Sequence, residues 1–134
     1  MNPILFLTLA ISLPLTQAHA QSGADKWNLT ADFDLINRCA QATRLVVGAA
    51  NLYPSDKRIR DGFIEEVIRN LKKTDQLGTQ MPSDINLIFT RLSVDGMLAR
   101  EPDLKDPAAR EWLMMQAAST CTLHSSRSES TTPR

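Results

Sequence analysis

From about position 30 onward, apolar residues recur every three or four positions, and polar residues fill the opposite side. Leu35, Ile36, Cys39, Ala42, Val46, Ala49, Ala50 and Tyr53 form the first such series, set against Asn37, Gln41, Arg44 and Asn51. That is the period of an α-helix. It predicts a helix from Thr30, as N-cap, to about Leu52. Gly48-Ala49-Ala50 is a run of small residues that would let another helix approach closely, offsetting the roughly 1 kcal/mol a helical glycine costs. Pro54 ends this helix and Ser55 is expected to cap the next. There Ile59, Phe63, Ile64, Val67, Ile68 and Leu71 form the apolar stripe, and Arg58, Asp61, Glu65, Arg69 and Lys72 the wet face. Glu65 and Arg69 have the favourable i, i+4 orientation.

Thr74 to Pro82 contains Gly78 and Pro82 and reads as a loop. Ser83 is expected to cap a third helix with Ile85, Ile88, Phe89 and Leu92 inward, ending either at Asp95-Gly96 or near Ala99. A charged loop, Arg100 to Lys105, surrounds Pro102. Asp106-Pro107 then places an N-cap before a proline at the first helical position. The fourth helix is expected to run to about Leu123. Leu113, Met114, Ala117, Ala118 and Cys121 share one of its faces, and Trp112, Met115 and Leu123 fall on another. A helix apolar on two sides is either sandwiched in a core or presents its second face to a partner. Ser125 to Arg134 has no apolar residue and reads as a disordered tail. With no strand pattern in view, the expected fold is all-α, a small bundle of about four to five helices.

The segment ahead of these helices differs in kind. Ile4 to Leu15 is an apolar run, and Ala18-His19-Ala20 follows it. Small residues at the first and third positions fit signal-peptide cleavage after Ala20, although no Lys or Arg precedes the run. The alternative is an anchor that stays attached, but the run is shorter than the roughly 20 residues that span a bilayer. The expected organisation is a signal peptide at 1–20, one helical domain at 21–124 and the tail at 125–134. Asp25 to Leu29, with Trp27, is a lead-in.

Two cysteines, Cys39 and Cys121, complete the inventory. In an exported chain of this size they read as one disulfide. Both lie on apolar stripes, so the bridge is expected to be buried and to link the first helix to the last. In the chain-entropy model such a loop is worth about 4.5 kcal/mol, against a total stability of roughly 5–15 kcal/mol. The alternatives are a free thiol or a metal site. Metal needs further ligands, and His124 is the one histidine after Ala20.

The chain carries 15 basic and 15 acidic residues, for a formal net charge of zero. Nucleic-acid binding draws its affinity from a basic face, which this balance does not supply. Candidate chemistry is sparse. His124 sits at an expected helix end, a poor place to hold catalytic geometry. Most carboxylates stand one helical turn from a base, as Asp34 does from Arg38 and Asp106 from Arg110. Glu65 and Glu66 are adjacent, so their side chains diverge. Phosphate loops, nucleophile elbows and metal-ligand spacings are missing from the sequence. The expectation is a non-enzyme without cofactor or metal. The candidate binding residues are Trp112, Met115 and Leu123, with two loops. One is Ala99–Asp106, carrying Arg100, Glu101, Asp103 and Lys105; the other is Thr74–Pro82, carrying Gln76 and Gln80. Loops on a rigid scaffold commonly carry binding; the plainer alternatives are core packing and simple linkage.

In layout, with Ala18-His19-Ala20, the helices above, and Cys39 and Cys121 near the two ends of the domain, the chain resembles the all-helical periplasmic immunity proteins. These neutralise type VI secretion amidase effectors. The resemblance covers the whole domain after residue 20 and transfers no binding residue. It implies a periplasmic protein-binding inhibitor whose partner is a secreted or periplasmic protein such as a peptidoglycan amidase effector, with a homodimer as a further option. A second reading is a periplasmic acid-stress chaperone, since charge pairs weaken when their carboxylates are protonated. An uncharacterised structural or interaction protein, and an enzyme with an unrecognised site, are the remaining classes.

Overall fold

The computed structural model describes residues 29–131, and the expected signal peptide, its cleavage site and the lead-in at Trp27 lie outside them. The chain divides at residue 32 into two units, and the helix packing lies within the second, Phe33–Arg134. Four helices follow one another: α1 (Leu29–Leu52), α2 (Lys57–Thr74), α3 (Asp84–Leu98) and α4 (Pro107–Thr131), with a single 3₁₀ turn at Gly78–Gln80 between α2 and α3. No strand occurs among the described residues.

Each boundary has a local cause. α1 begins at Leu29, one residue before the expected cap. Asp56, rather than Ser55, caps α2, its carboxylate accepting from the Ile59 N–H at 3.1 Å. α2 closes on Asp75 in the left-handed region, φ 49°. At α3, Ser83 Oγ accepts from the Asn86 N–H and Asn86 Oδ1 accepts from the Ser83 N–H, a reciprocal box that satisfies two otherwise orphaned donors. α3 passes through Asp95-Gly96 and stops at Leu98. Asp106 caps α4 with Pro107 as its first residue, and Asp106 Oδ1 accepts from the Ala108 N–H at 3.0 Å.

The four helices meet in one core. Ala42, Val46, Val47, Ala49 and Ala50 from α1 pack with Ile64 and Ile68 from α2, Leu87 and Val94 from α3, and Leu113 and Ala117 from α4. Ala42, Ala49, Ala50 and Ala117 have no exposed surface. Gly48 plays no part in the close approach, because a Cβ there would meet nothing within 4 Å. Ile36, Ile59 and Met114, expected on buried stripes, stand partly in solvent because the buried arcs are narrower than the apolar series.

Cys39 and Cys121 form the expected disulfide between α1 and α4, with Cα atoms 5.7 Å apart. Both are buried, with Leu35 beside them. The surroundings of this bridge overturn four expectations. On α3 the inward residues are Asn86, Leu87, Thr90 and Val94, while Ile88 and Leu92 are exposed and Ile85 and Phe89 only half-buried. The polar residues win because they have work beside the bridge. Asn86 is fully buried; its Nδ2 donates to Ser125 Oγ at 3.0 Å and its Oδ1 accepts from Arg38 Nε at 3.3 Å. Its carbonyl accepts from Thr90 Oγ1 at 2.7 Å and lies 3.5 Å from Cys121 Sγ.

Ser125 is fully buried and 3.8 Å from the same sulfur. The segment from Ser125 onward, expected to be a disordered tail, is therefore helical to Thr131. Arg38 binds Glu129 at 3.0 Å, where its expected partner was Asp34. His124, expected at a frayed solvated end, is mid-helix and stacks on Phe89 with ring centroids 5.2 Å apart.

Two outcomes follow for stability and access. Replacing Cys39 or Cys121 by Ser is expected to lower unfolding free energy by up to about 4.5 kcal/mol, read as a fall in the urea midpoint under oxidising conditions. An unchanged midpoint would refute the structural role. Glu129→Ala releases the last turns of α4 from Arg38. A pair this exposed contributes roughly 0–1 kcal/mol, so the midpoint should hardly move. Reduction of the native disulfide by dithiothreitol should nonetheless accelerate, and an unchanged rate would show that these turns do not shield it.

Candidate interaction surface

Two features of the described surface carry the candidate residues. One is a stripe on α4; the other is a cleft between two connections.

The stripe follows from helical spacing. Leu113, Ala117, Cys121 and Ser125 recur every four residues and turn one side of α4 inward. Trp112, Met115 and Leu123 then project on the opposite side, and they remain 46%, 61% and 51% exposed. The ambiguity of a helix apolar on two sides resolves in favour of an open second face. Leu123 also borders a shallow trough with Ile36, Ala40, Ala118, Ser119 and Thr122, where α1 and α4 lie alongside each other. A smaller apolar pair that the sequence pattern had turned inward, Ile88 and Leu92, is exposed on α3.

The cleft has a volume of about 760 Å³ and is bounded by Asn51, the Pro54-Ser55 turn, Leu98, the segment 101–105 and Arg110. One wall is held from inside by Arg60, which is 6% exposed. Its Nη1 donates to the carbonyls of Tyr53 and Pro54 at 3.1 and 3.0 Å, and its Nη2 to Asp95 Oδ1 at 2.9 Å. A planar guanidinium spreads its donors over separate nitrogens in a fixed fork, so Nη1 holds the turn while Nη2 reaches α3. Lys57 adds a looser contact to Asp95 at 3.6 Å and a closer one to Asp61 at 2.6 Å. The hydrogen bond to Asp61 raises the Lys57 pKa above its ordinary value of 10.5. A raised lysine contributes fully below its unfolded pKa and loses that contribution only as pH climbs through the folded value, so the pair is intact at neutral pH.

The opposite wall is pinned by its own hydrogen bonds. Arg110 Nη1 donates to the Leu104 carbonyl at 3.2 Å, where the sequence had paired Arg110 with Asp106. The Lys105 N–H donates to Asp103 Oδ1 at 3.0 Å, and the Glu101 N–H to the Leu98 carbonyl at 2.9 Å. Glu101 holds φ 53°, an unusual value for a residue with a side chain.

No family model, curated protein or solved structure matches this chain.

Of the residues singled out from sequence, Glu101, Asp103 and Lys105 line the cleft, and Trp112, Met115 and Leu123 form the stripe. Arg100 is exposed at the end of α3 but is absent from the cleft lining. Gln76 is exposed, and Gln80 Oε1 accepts from Gln41 Nε2 at 3.4 Å, tying the 3₁₀ turn back to α1. Sequence reading missed Asn51, Pro54, Ser55, Leu98 and Arg110 as cleft residues, and Arg60 as the clamp beneath them. A signal for Arg60 existed: it sits four residues before Ile64 and eight before Ile68, a lone cation on the apolar arc of α2. Among the described residues, no group of three His, Cys, Asp or Glu side chains is placed to hold a metal ion. No described helix is long and apolar enough to cross a membrane.

Arg60→Met removes the clamp, leaving two carbonyls without their donor and Asp95 with the looser Lys57 contact alone. Breaking a fully buried pair costs roughly 3–5 kcal/mol; Asp95 is partly solvated, so a loss of about 2 kcal/mol is expected, read from urea denaturation. A variant as stable as the parent would show that the turn is held by packing alone.

Proposed function

We propose that this chain is an exported protein-binding module that works by occupying another protein. The disulfide suits an oxidising compartment, and the leader pattern at Ile4–Ala20 supports export to the periplasm. The observation that carries the reading is the outward stripe of α4. Trp112, Met115 and Leu123 keep large apolar surface in water although they face away from the core. Exposed aromatic and aliphatic side chains along one helix face are what interfaces use as anchors. Within that class, the layout resemblance favours an immunity protein that binds and inhibits a type VI secretion peptidoglycan amidase effector.

The decisive experiment mixes the oxidised protein with the secreted hydrolase encoded beside its gene. Chromatography should show a stable complex, and cleavage of peptidoglycan should stop at neutral pH. Trp112→Ala should weaken the complex at least tenfold, as loss of an aromatic anchor does. The unfolding midpoint should stay close to that of the parent, since Trp112 is half-exposed. A neighbouring gene that encodes no secreted hydrolase, or a hydrolase that stays fully active in the mixture, would remove the inhibitor reading.

One observation favours the acid-stress alternative. Asp95 receives both Arg60 and Lys57, so contacts that join α2, α3 and the α1–α2 turn converge on a single carboxylate. In that case the protein would suppress aggregation of unrelated clients in acid and not at neutral pH.

A further inference from the structure

The cleft between the α1–α2 turn and the α3–α4 connection has a composition that selects among ligand classes. Its apolar surface comes from Leu98, Leu104, Pro54 and Pro102; Leu98 and Leu104 also pack against the core. Its charged residues are Glu101, Asp103, Lys105 and Arg110, two of each sign. An anion such as a nucleotide or a phosphate would meet two carboxylates there. A metal cation would meet an ammonium and a guanidinium, and a lipid chain would be framed by four charges. The ligand that suits a neutral balance around an apolar floor carries both signs itself. The cleft volume of about 760 Å³ falls within the range that encloses drug-sized molecules, roughly 300–1,000 Å³. That is space for a few residues of extended chain and not for a folded element. The backbone of both walls is already held by the hydrogen bonds of Arg60, Arg110, Lys105 and Glu101, so little backbone ordering is left to be done on binding.

We propose that this cleft receives a short extended peptide segment of a partner protein, with an aliphatic residue over Leu98 and Leu104. A basic and an acidic residue on either side of it meet Glu101 and Lys105. The inference rests on the protein-binding reading and names the kind of segment that the partner contributes. It places a second contact at the end of the bundle where α1 finishes and α4 begins, in addition to the stripe.

The test uses the full oxidised protein as bait for a phage-displayed library of random heptapeptides. Enriched sequences should share an aliphatic residue flanked by opposite charges. Glu101→Lys and Lys105→Glu should each weaken a synthetic copy of the enriched peptide about tenfold, since each sets like charges against one another. The double exchange E101K/K105E should recover binding to a peptide with its two charges swapped. Trp112→Ala should leave peptide binding unchanged. The proposal is overturned if no sequence is enriched, if enriched peptides ignore all three charge variants, or if they respond to Trp112→Ala instead. Each of those failures leaves the hydrolase complex to be judged separately through the α4 stripe, so the cleft and the binding module can fail independently.

Discussion

The bridge between Cys39 and Cys121 fixes the first helix against the last, and much of the remaining structure is arranged around its burial. A disulfide needs no polar partner, yet polar residues gather beside this one. Asn86, Thr90, Ser125 and Arg38 form a connected network in which Asn86 uses both ends of its amide. Partly satisfied networks of this kind are costly, whereas complete ones specify a single arrangement. Ser125 can satisfy Asn86 only if α4 continues past Leu123. The length of the last helix is thus a consequence of the network at the bridge.

The Arg60 clamp has a comparable role at the cleft end of the bundle. A chain turning sharply at Pro54 leaves the carbonyls of Tyr53 and Pro54 without helical partners. Arg60 gathers both and carries them to Asp95 on α3. The turn is thereby fixed relative to α3, whose last residues lead into the opposite wall of the cleft. Bridge and clamp together leave a scaffold with little freedom beneath its candidate contact residues. A binding surface gains from this, because side chains on a pinned support lose less entropy on association.

The stripe and the cleft differ physically. The stripe offers large apolar side chains, and its contribution to affinity would come from water released around Trp112 and Met115. The cleft offers modest apolar surface with charges of both signs, which favours selectivity over strength. A partner engaging both would draw affinity from one and discrimination from the other.

Much of the molecule was legible in its residue pattern. Helical periodicity located the four helices, Asp106-Pro107 and Ser83 marked two starts, and the two cysteines on apolar stripes foretold their own pairing. The exposed loop residues Glu101, Asp103 and Lys105 were also recognisable as candidates. What periodicity misjudged was burial: Ile88 and Leu92 were turned inward on hydrophobicity alone, and Asn86 was passed over because a buried amide needs partners that sequence does not reveal. Those partners, Arg38 and Ser125, lie 48 and 39 residues away. The helical state of Ser125–Thr131 escaped the pattern for the same reason, since nothing local favours it and contacts to α1 and α3 supply the stabilisation. Sequence alone determined where the four helices lie, the last turns of α4 apart, and which cysteines pair, because those depend on near neighbours and on count. Only the tertiary structure decided which face of α3 is buried and where the cleft opens, because both depend on contacts between residues far apart in the chain.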